Sequence, residues 1–131
     1  MFAFSSRSAE RMAGVDPRLI EVAYEALKIS RIDFGIPDDG GIRTAERQRE
    51  LFDSGKSKAD GTEKTSYHQS GKALDVYAYV DGKASWDMAH LSLVACAMLQ
   101  AANVLGYQVA WGGLWSSFID APHFQITESF A

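Results

Sequence analysis

The chain has 131 residues, of which 47% are apolar and 23% charged, and it carries a formal net charge of -4. This length suits one domain with one hydrophobic core, and the balance is neither that of a disordered nor of a fibrous chain. The negative charge gives no support to nucleic-acid binding and weighs against docking on anionic membranes, while a single cysteine excludes an internal disulfide or a cysteine-rich zinc knuckle.

The opening MFAFSSRSAERMAG lacks the basic segment and continuous apolar core of a signal peptide. No apolar run approaches the ~20 residues that span a bilayer. A substrate outside the cytoplasm therefore requires another route of release. A short helix is expected around residues 8–12. Asp16-Pro17 then supplies an N-cap and a proline at the first helical position. The helix that follows, LIEVAYEALKIS, places Leu19, Ile20, Ala23 and Leu27 on one core-facing side. A short strand over 33–36 is broken by Pro37 and the turn-like 38–41. Next comes AERQRELFDSG, a helix capped by Thr44 and stopped near Gly55. Residues 54–66 are polar and read as a functional surface loop.

Residues 74–80 have strand composition, and Asp81-Gly82 signals a turn. Residues 85–87 offer a cap for a long helix over about 87–105, which ends at Gly106. Cys96 lies within it and is expected to be a buried, inert thiol. Two short strands follow, near 107–111 and 123–126. Helices first, then strands interleaved with one long helix, give an α+β domain with a small, mainly antiparallel sheet flanked by helices.

Three histidines are present, His68, His90 and His123. His68 ends the polar loop and Asp75 lies on an expected strand. Gly71 and Ala73 between them let the chain turn with little bulk, so the two side chains could converge. Two imidazoles and a carboxylate suit a catalytic zinc ion, which takes three protein ligands and keeps a fourth position for water. A carboxylate that is not a ligand must then move the water's proton, and Asp120, three residues before His123, is placed to do so. The spacing also fits a plainer alternative: His68 as a loop histidine, Asp75 as a hydrogen-bonded carboxylate and His123 as a strand residue satisfied by backbone. His90, inside the long helix, faces solvent or a polar neighbour and is given no catalytic role.

Ser66-x-His68-x-x-Gly71-x-Ala73-x-Asp75 resembles the S-x-H-x-x-G-x-A-x-D motif of the LAS metallopeptidases, the group of lysostaphin, the D-Ala-D-Ala metallopeptidases and sonic hedgehog. Trp111-Gly112-Gly113-x-Trp115 and Asp120-x-Pro122-His123-Phe124 resemble the W-G-G-x-W and D-x-P-H-F pair of the L-alanyl-D-glutamate endopeptidase branch. Gly41-x-Arg43-Thr44-x-x-Arg47-Gln48 matches that branch's G-x-R-T-x-x-R-Q segment. Phe4-Ser5-x-Arg7-Ser8 and Val15-x-Pro17-x-Leu19 follow the usual start of these phage enzymes. The motifs run in the expected order over nearly the whole chain.

The resemblance implies a hedgehog/DD-peptidase-like fold spanning 1–131 as one catalytic domain without a separate wall-binding domain. It implies one zinc ion per chain on His68, Asp75 and His123, and Asp120 as the catalytic base. Arg43 corresponds to the family's arginine, which contacts substrate or stabilises the oxyanion; its alternative is a surface arginine paired with Asp38 or Asp39. Ser66 hydrogen-bonds near the metal or shapes the loop. Tyr67 is a candidate cleft residue, and Trp111 and Trp115 pack near the site with faces suited to stacking. Two departures, Leu114 and Gln125, stand where the branch often has acids; they bear on specificity rather than on the ligands.

The implied activity is that of an endolysin hydrolysing the L-Ala-D-Glu bond of peptidoglycan stem peptides. The alternatives are a D-alanyl-D-alanine carboxypeptidase or dipeptidase on the same scaffold, and a non-catalytic zinc-stabilised wall-binding module. The expected partner is the stem peptide alone. A monomer is expected, with no nucleic acid and no stable membrane insertion. It is held in the host cytoplasm until a holin lets it reach the periplasm and wall.

Overall fold

The computed structural model describes residues 2–127. Its first helices are α1 (Ser6–Arg11), where Ser5 accepts from the Ser8 N–H, and α2 (Pro17–Ile29), where Asp16 accepts from Arg18 and proline holds the first position. These caps satisfy backbone donors that a helix leaves without partners. α2 buries Leu19, Val22, Ala23, Ala26 and Leu27, with Ile20 packed at the margin. β1 (Asp33–Gly35) leads through the 38–41 turn to α3 (Ala45–Asp53), whose cap is Thr44. The loop after α3 ends in a single-turn helix, Tyr67–Ser70.

Five further elements follow: β2 (Ala73–Asp75), β3 (Tyr77–Val80), β4 (Lys83–Ser85), α4 (Met88–Leu105) and β5 (Val109–Trp111). A single turn, Gly112–Leu114, and a loop then lead into β6 (His123–Ile126). The strands form two three-stranded antiparallel sheets among the described residues, in the orders β1-β3-β4 and β2-β6-β5.

The expected single strand over 74–80 is therefore two strands in different sheets. Leu74, Val76 and Ala78 are all fully buried, so the period-two alternation runs unbroken through the switch. That is why the segment reads as one strand. At Val76 the N–H donates to the Pro122 carbonyl at 3.0 Å, and the chain passes from one sheet to the other. β4 was not expected, because Lys83-Ala84-Ser85 lacks β-branched and aromatic residues. It pairs because Asp81 and Gly82 both adopt positive φ, 51° and 78°, the backbone of a tight hairpin turn.

α4 packs against α2 across the main core; contrary to the sequence expectation it is long and apolar enough, by length and composition alone, to cross a membrane, and its apolar residues serve the core instead. Its Leu91, Val94, Met98 and Ala101 are core residues. Asp87 caps its start, and Gly106, at φ 80°, ends it. Cys96 is exposed, contrary to expectation. The helical period turns Ala95 and Met98 inward, which leaves Cys96 on the outer side.

Candidate metal centre

Strand register accounts for the first convergence. In the β2–β6 pair Asp75 lies directly opposite His123. Cross-strand partners hold their Cβ atoms about 4.5–5.5 Å apart, so a carboxylate and an imidazole 48 positions apart in sequence meet on one face. His68 reaches the same point from the turn before β2. Ser66 caps that turn, accepting from the His68 N–H at 3.2 Å, and Gln69 returns a bond to the Ser66 N–H. Gly71 ends it at φ 74°, where a Cβ would lie 2.6 Å from the Gly14 carbonyl oxygen. The glycine of the H-x-x-G spacing is thus required both by backbone conformation and by space.

Asp75 Oδ1 lies 3.1 Å from His68 Nε2 and 3.3 Å from His123 Nδ1. The three ligand atoms all fall within 4.8 Å of one another. Tetrahedral ligands about 2.0–2.1 Å from a zinc ion are spaced about 3.3 Å apart, so two of the three edges already fit. Tautomers sharpen this. His68 Nδ1 faces the Gly41 carbonyl oxygen at 2.9 Å, a group that only accepts, so Nδ1 carries the proton. His123 Nε2 donates likewise to Gln125 Oε1 at 2.8 Å. The near nitrogens, His68 Nε2 and His123 Nδ1, then both face a carboxylate oxygen, an arrangement that a cation shared among the three atoms makes favourable. A proton can serve, and so can a metal ion; the donor set of two nitrogens and one oxygen fits zinc. The far ring nitrogens are held as metal-binding histidines usually are.

The charges agree with this geometry. Burial raises the Asp75 carboxyl, but His68 and His123 outweigh it and hold the group below the usual carboxylate range. Burial lowers His123, yet its bond to Asp75 outweighs that and leaves it raised. Asp120 is raised by burial first and by the Asp75 charge second, with His123 opposing. Its Oδ2 stands 3.8 Å from His123 Nδ1. The Asp120 N–H donates to the Gly112 carbonyl at 2.9 Å, and a Cβ on Gly112 would collide with the Asp120 carbonyl oxygen. The W-G-G segment thus lets Asp120 come close.

Arg43 is drawn inward rather than left on the surface. Its Nη2 donates to Asp75 Oδ2 at 3.2 Å, its Nη1 to Gln48 Oε1 at 3.2 Å and its Nε to the Asp39 carbonyl at 2.9 Å. The carboxylates of Asp38 and Asp39 pair with Arg11 and Arg47 instead, so the surface-pair alternative does not describe Arg43. Trp115 lays its ring against His123, with centroids 5.1 Å apart. Trp111 sits behind, donating to the Ala121 carbonyl at 2.7 Å and stacking on Phe124. Tyr67 is 47% exposed beside His68. His90 bonds to Ser85 Oγ, away from this cluster.

Two residues of the site had no assigned role in the sequence. Gln48 is fully buried and joins Arg43 to the 54–66 loop, donating to Ser57 Oγ at 2.7 Å and the Ala59 carbonyl at 2.8 Å. The signal for it was its place in G-x-R-T-x-x-R-Q. Gln125, read only as a missing acid, is the acceptor that orients His123.

The profile of the family described as phage L-alanyl-D-glutamate peptidase matches residues 1–127. An L-alanyl-D-glutamate peptidase of Escherichia phage T5 is 34% identical over 117 residues, which are 88% of this chain and 83% of that relative. Another, from a Listeria phage, is 37% identical over 85 residues; these make up 65% of this chain but 28% of that relative. Among solved structures, the Serratia marcescens L-Ala D-Glu endopeptidase ChiX superposes with a TM-score of 0.84 at 36% identity, covering 95% of this chain and 90% of its own.

Proposed function

The chain belongs to the phage L-alanyl-D-glutamate peptidase family, and we propose that it is a zinc-dependent endolysin that hydrolyses the L-Ala-D-Glu bond of peptidoglycan stem peptides. The observation that carries the metal part is the convergence of His68 Nε2, His123 Nδ1 and Asp75 Oδ1 within 4.8 Å of one another, with the far ring nitrogens held by the Gly41 carbonyl and Gln125. His68 Nε2, His123 Nδ1 and Asp75 Oδ1 are the ligand atoms. A zinc ion held there would act as a Lewis acid, polarising the scissile carbonyl and lowering the pKa of a bound water towards neutrality.

Asp120 takes the proton of the attacking water and passes it to the leaving D-Glu nitrogen as the peptide C–N bond breaks. Its raised pKa suits a group that must both accept and return a proton. Arg43 keeps Asp75 turned so that Oδ1 faces the ligand cluster. Beyond its three bonds a guanidinium has two further N–H donors, and these are assigned to the scissile carbonyl oxygen. Ser66 positions His68 through the turn, Trp111 holds the loop that carries Asp120, and Tyr67 flanks the bound peptide. The protein acts at the cell wall as a monomer of one catalytic domain. It waits in the host cytoplasm for holin-assisted passage and does not itself insert in the membrane.

The test is mass spectrometry of purified peptidoglycan digested by zinc-loaded protein, with a chelated control. New D-Glu amino termini that disappear on chelation are expected. Release of D-Ala would assign a carboxypeptidase instead, and binding without turnover a non-catalytic module. Asp120→Ala is expected to lower kcat by about 10²–10⁴-fold while zinc content stays at one per chain. Loss of the metal in that variant would make Asp120 a ligand rather than the base.

A further inference from the structure

The 54–66 loop and the loop before β6 meet at one contact. The Lys58 ammonium sits over the Phe118 ring, 5.6 Å from its centroid. Both partners are tied to the metal cluster. On one side, Gln48 holds the residues flanking Lys58, Ser57 and Ala59, and also binds Arg43, which in turn binds Asp75. On the other, Phe118 lies two positions before Asp120. Lys58 is exposed and meets no carboxylate among the described residues, whereas Arg43 pairs with Asp75 and Arg47 with both Asp39 and Glu50. An exposed cation on a phenyl ring is held only weakly. The charge is therefore positioned and still open to an anion.

We infer that Lys58, seated on Phe118, is the subsite for a carboxylate on the D-Glu side of the scissile bond. The inference rests on the endopeptidase reading above. Asp120 delivers a proton to the leaving nitrogen, so the residue bearing that nitrogen lies on the Asp120 side, and Phe118, two positions before Asp120 in the same loop, carries Lys58 on its ring. A glutamate joined through its nitrogen keeps two carboxyl groups, of which the onward peptide bond uses one. The L-Ala side offers only a methyl group, with nothing for a cation to recognise. The carboxylate has two possible sources, the free carboxyl of D-Glu and one on the residue that follows it, represented by diaminopimelate in the test peptide.

The experiment measures KM and kcat of the full, zinc-loaded chain on N-acetyl-L-Ala-D-Glu-diaminopimelate, which has one free carboxyl on D-Glu and two on diaminopimelate, and on versions amidated at the D-Glu carboxyl or at both diaminopimelate carboxyls. Lys58→Met, which keeps the apolar stem, is expected to raise KM about five- to tenfold, in keeping with one charge-assisted contact, with kcat little changed. Lys58→Arg restores KM. Amidation at the recognised carboxyl raises KM for the native chain by a similar factor and adds nothing in Lys58→Met, and the position where this holds identifies the source. An unchanged KM in Lys58→Met, or an equal penalty from amidation in both proteins, overturns the assignment. If the native chain cuts none of the three peptides, it is the endopeptidase reading that fails instead.

Discussion

The α2–α4 interface and the β2–β6 face both bury side chains, but they are held by different forces. Between the helices the buried side chains are Leu19, Val22, Ala23, Leu91, Val94 and Met98, all apolar. Near β6 the buried side chains include His68, His123 and Gln48, at 2%, 6% and 0% exposure. Each of these has named hydrogen-bond partners, and no buried side-chain nitrogen or oxygen among the described residues lacks one. Apolar packing asks for volume and pattern and accepts many solutions. A buried polar cluster accepts few, because each unmade bond costs about 1–3 kcal/mol. The helical half should therefore govern whether the chain folds, and the β6 face whether it holds a metal.

The strongest way to break this comparison is Leu19→Ala. It removes a fully buried side chain from α2 and is expected to cost about 2–5 kcal/mol of stability. Metal stoichiometry in the folded fraction should not change. Denaturant unfolding beside metal analysis checks this, and zinc loss without destabilisation would contradict it. Gln125→Ala is the converse and should have the smaller effect. It removes the acceptor that orients His123 and is expected to weaken zinc affinity about 10–100-fold, with stability of the chelated protein little altered. Competition with a chromophoric chelator reads it, and unchanged affinity would return Gln125 to an ordinary strand residue.

The smallest effect is a pH dependence of the metal-free protein. His123 is raised above its unfolded value of 6.5. Its contribution is fully present below pH 6.5 and lost as pH rises through the folded value. Asp75 is lowered from 3.8, so its contribution is present above that value and lost only in stronger acid. With chelator present, Tm is expected to fall by about 2–5 °C from pH 6 towards pH 8, and Asp75→Asn should flatten the slope. A native slope of opposite sign would refute the electrostatic account of the cluster.

Local chemistry made much of the molecule legible. Asp16-Pro17, Thr44, Asp87 and Gly106 mark helix ends through backbone donors and acceptors that neighbouring side chains must satisfy, and all four act there. The histidine and aspartate pattern pointed at one site, and His68, Asp75, Asp120 and His123 do come together. What remained hidden depends on contacts between distant segments. Val76 continues the alternation of its neighbours, so nothing local announces the change of sheet. Lys83-Ala84-Ser85 becomes a strand because a hairpin delivers it to β3. Gln48 had no role of its own in the sequence until Arg43 and the 57–59 segment enclosed it, and Cys96 reads as buried until the phase of α4 is set by the face it turns to α2.

The sequence by itself determined where helices start and stop, which residues could bind a metal and in what order they arrive, because those properties rest on neighbours a few positions apart. Only the tertiary structure decided the register that puts Asp75 opposite His123, the tautomers set by Gly41 and Gln125, and the Lys58–Phe118 contact. Each of these joins atoms whose separation along the chain carries no information about their distance in space.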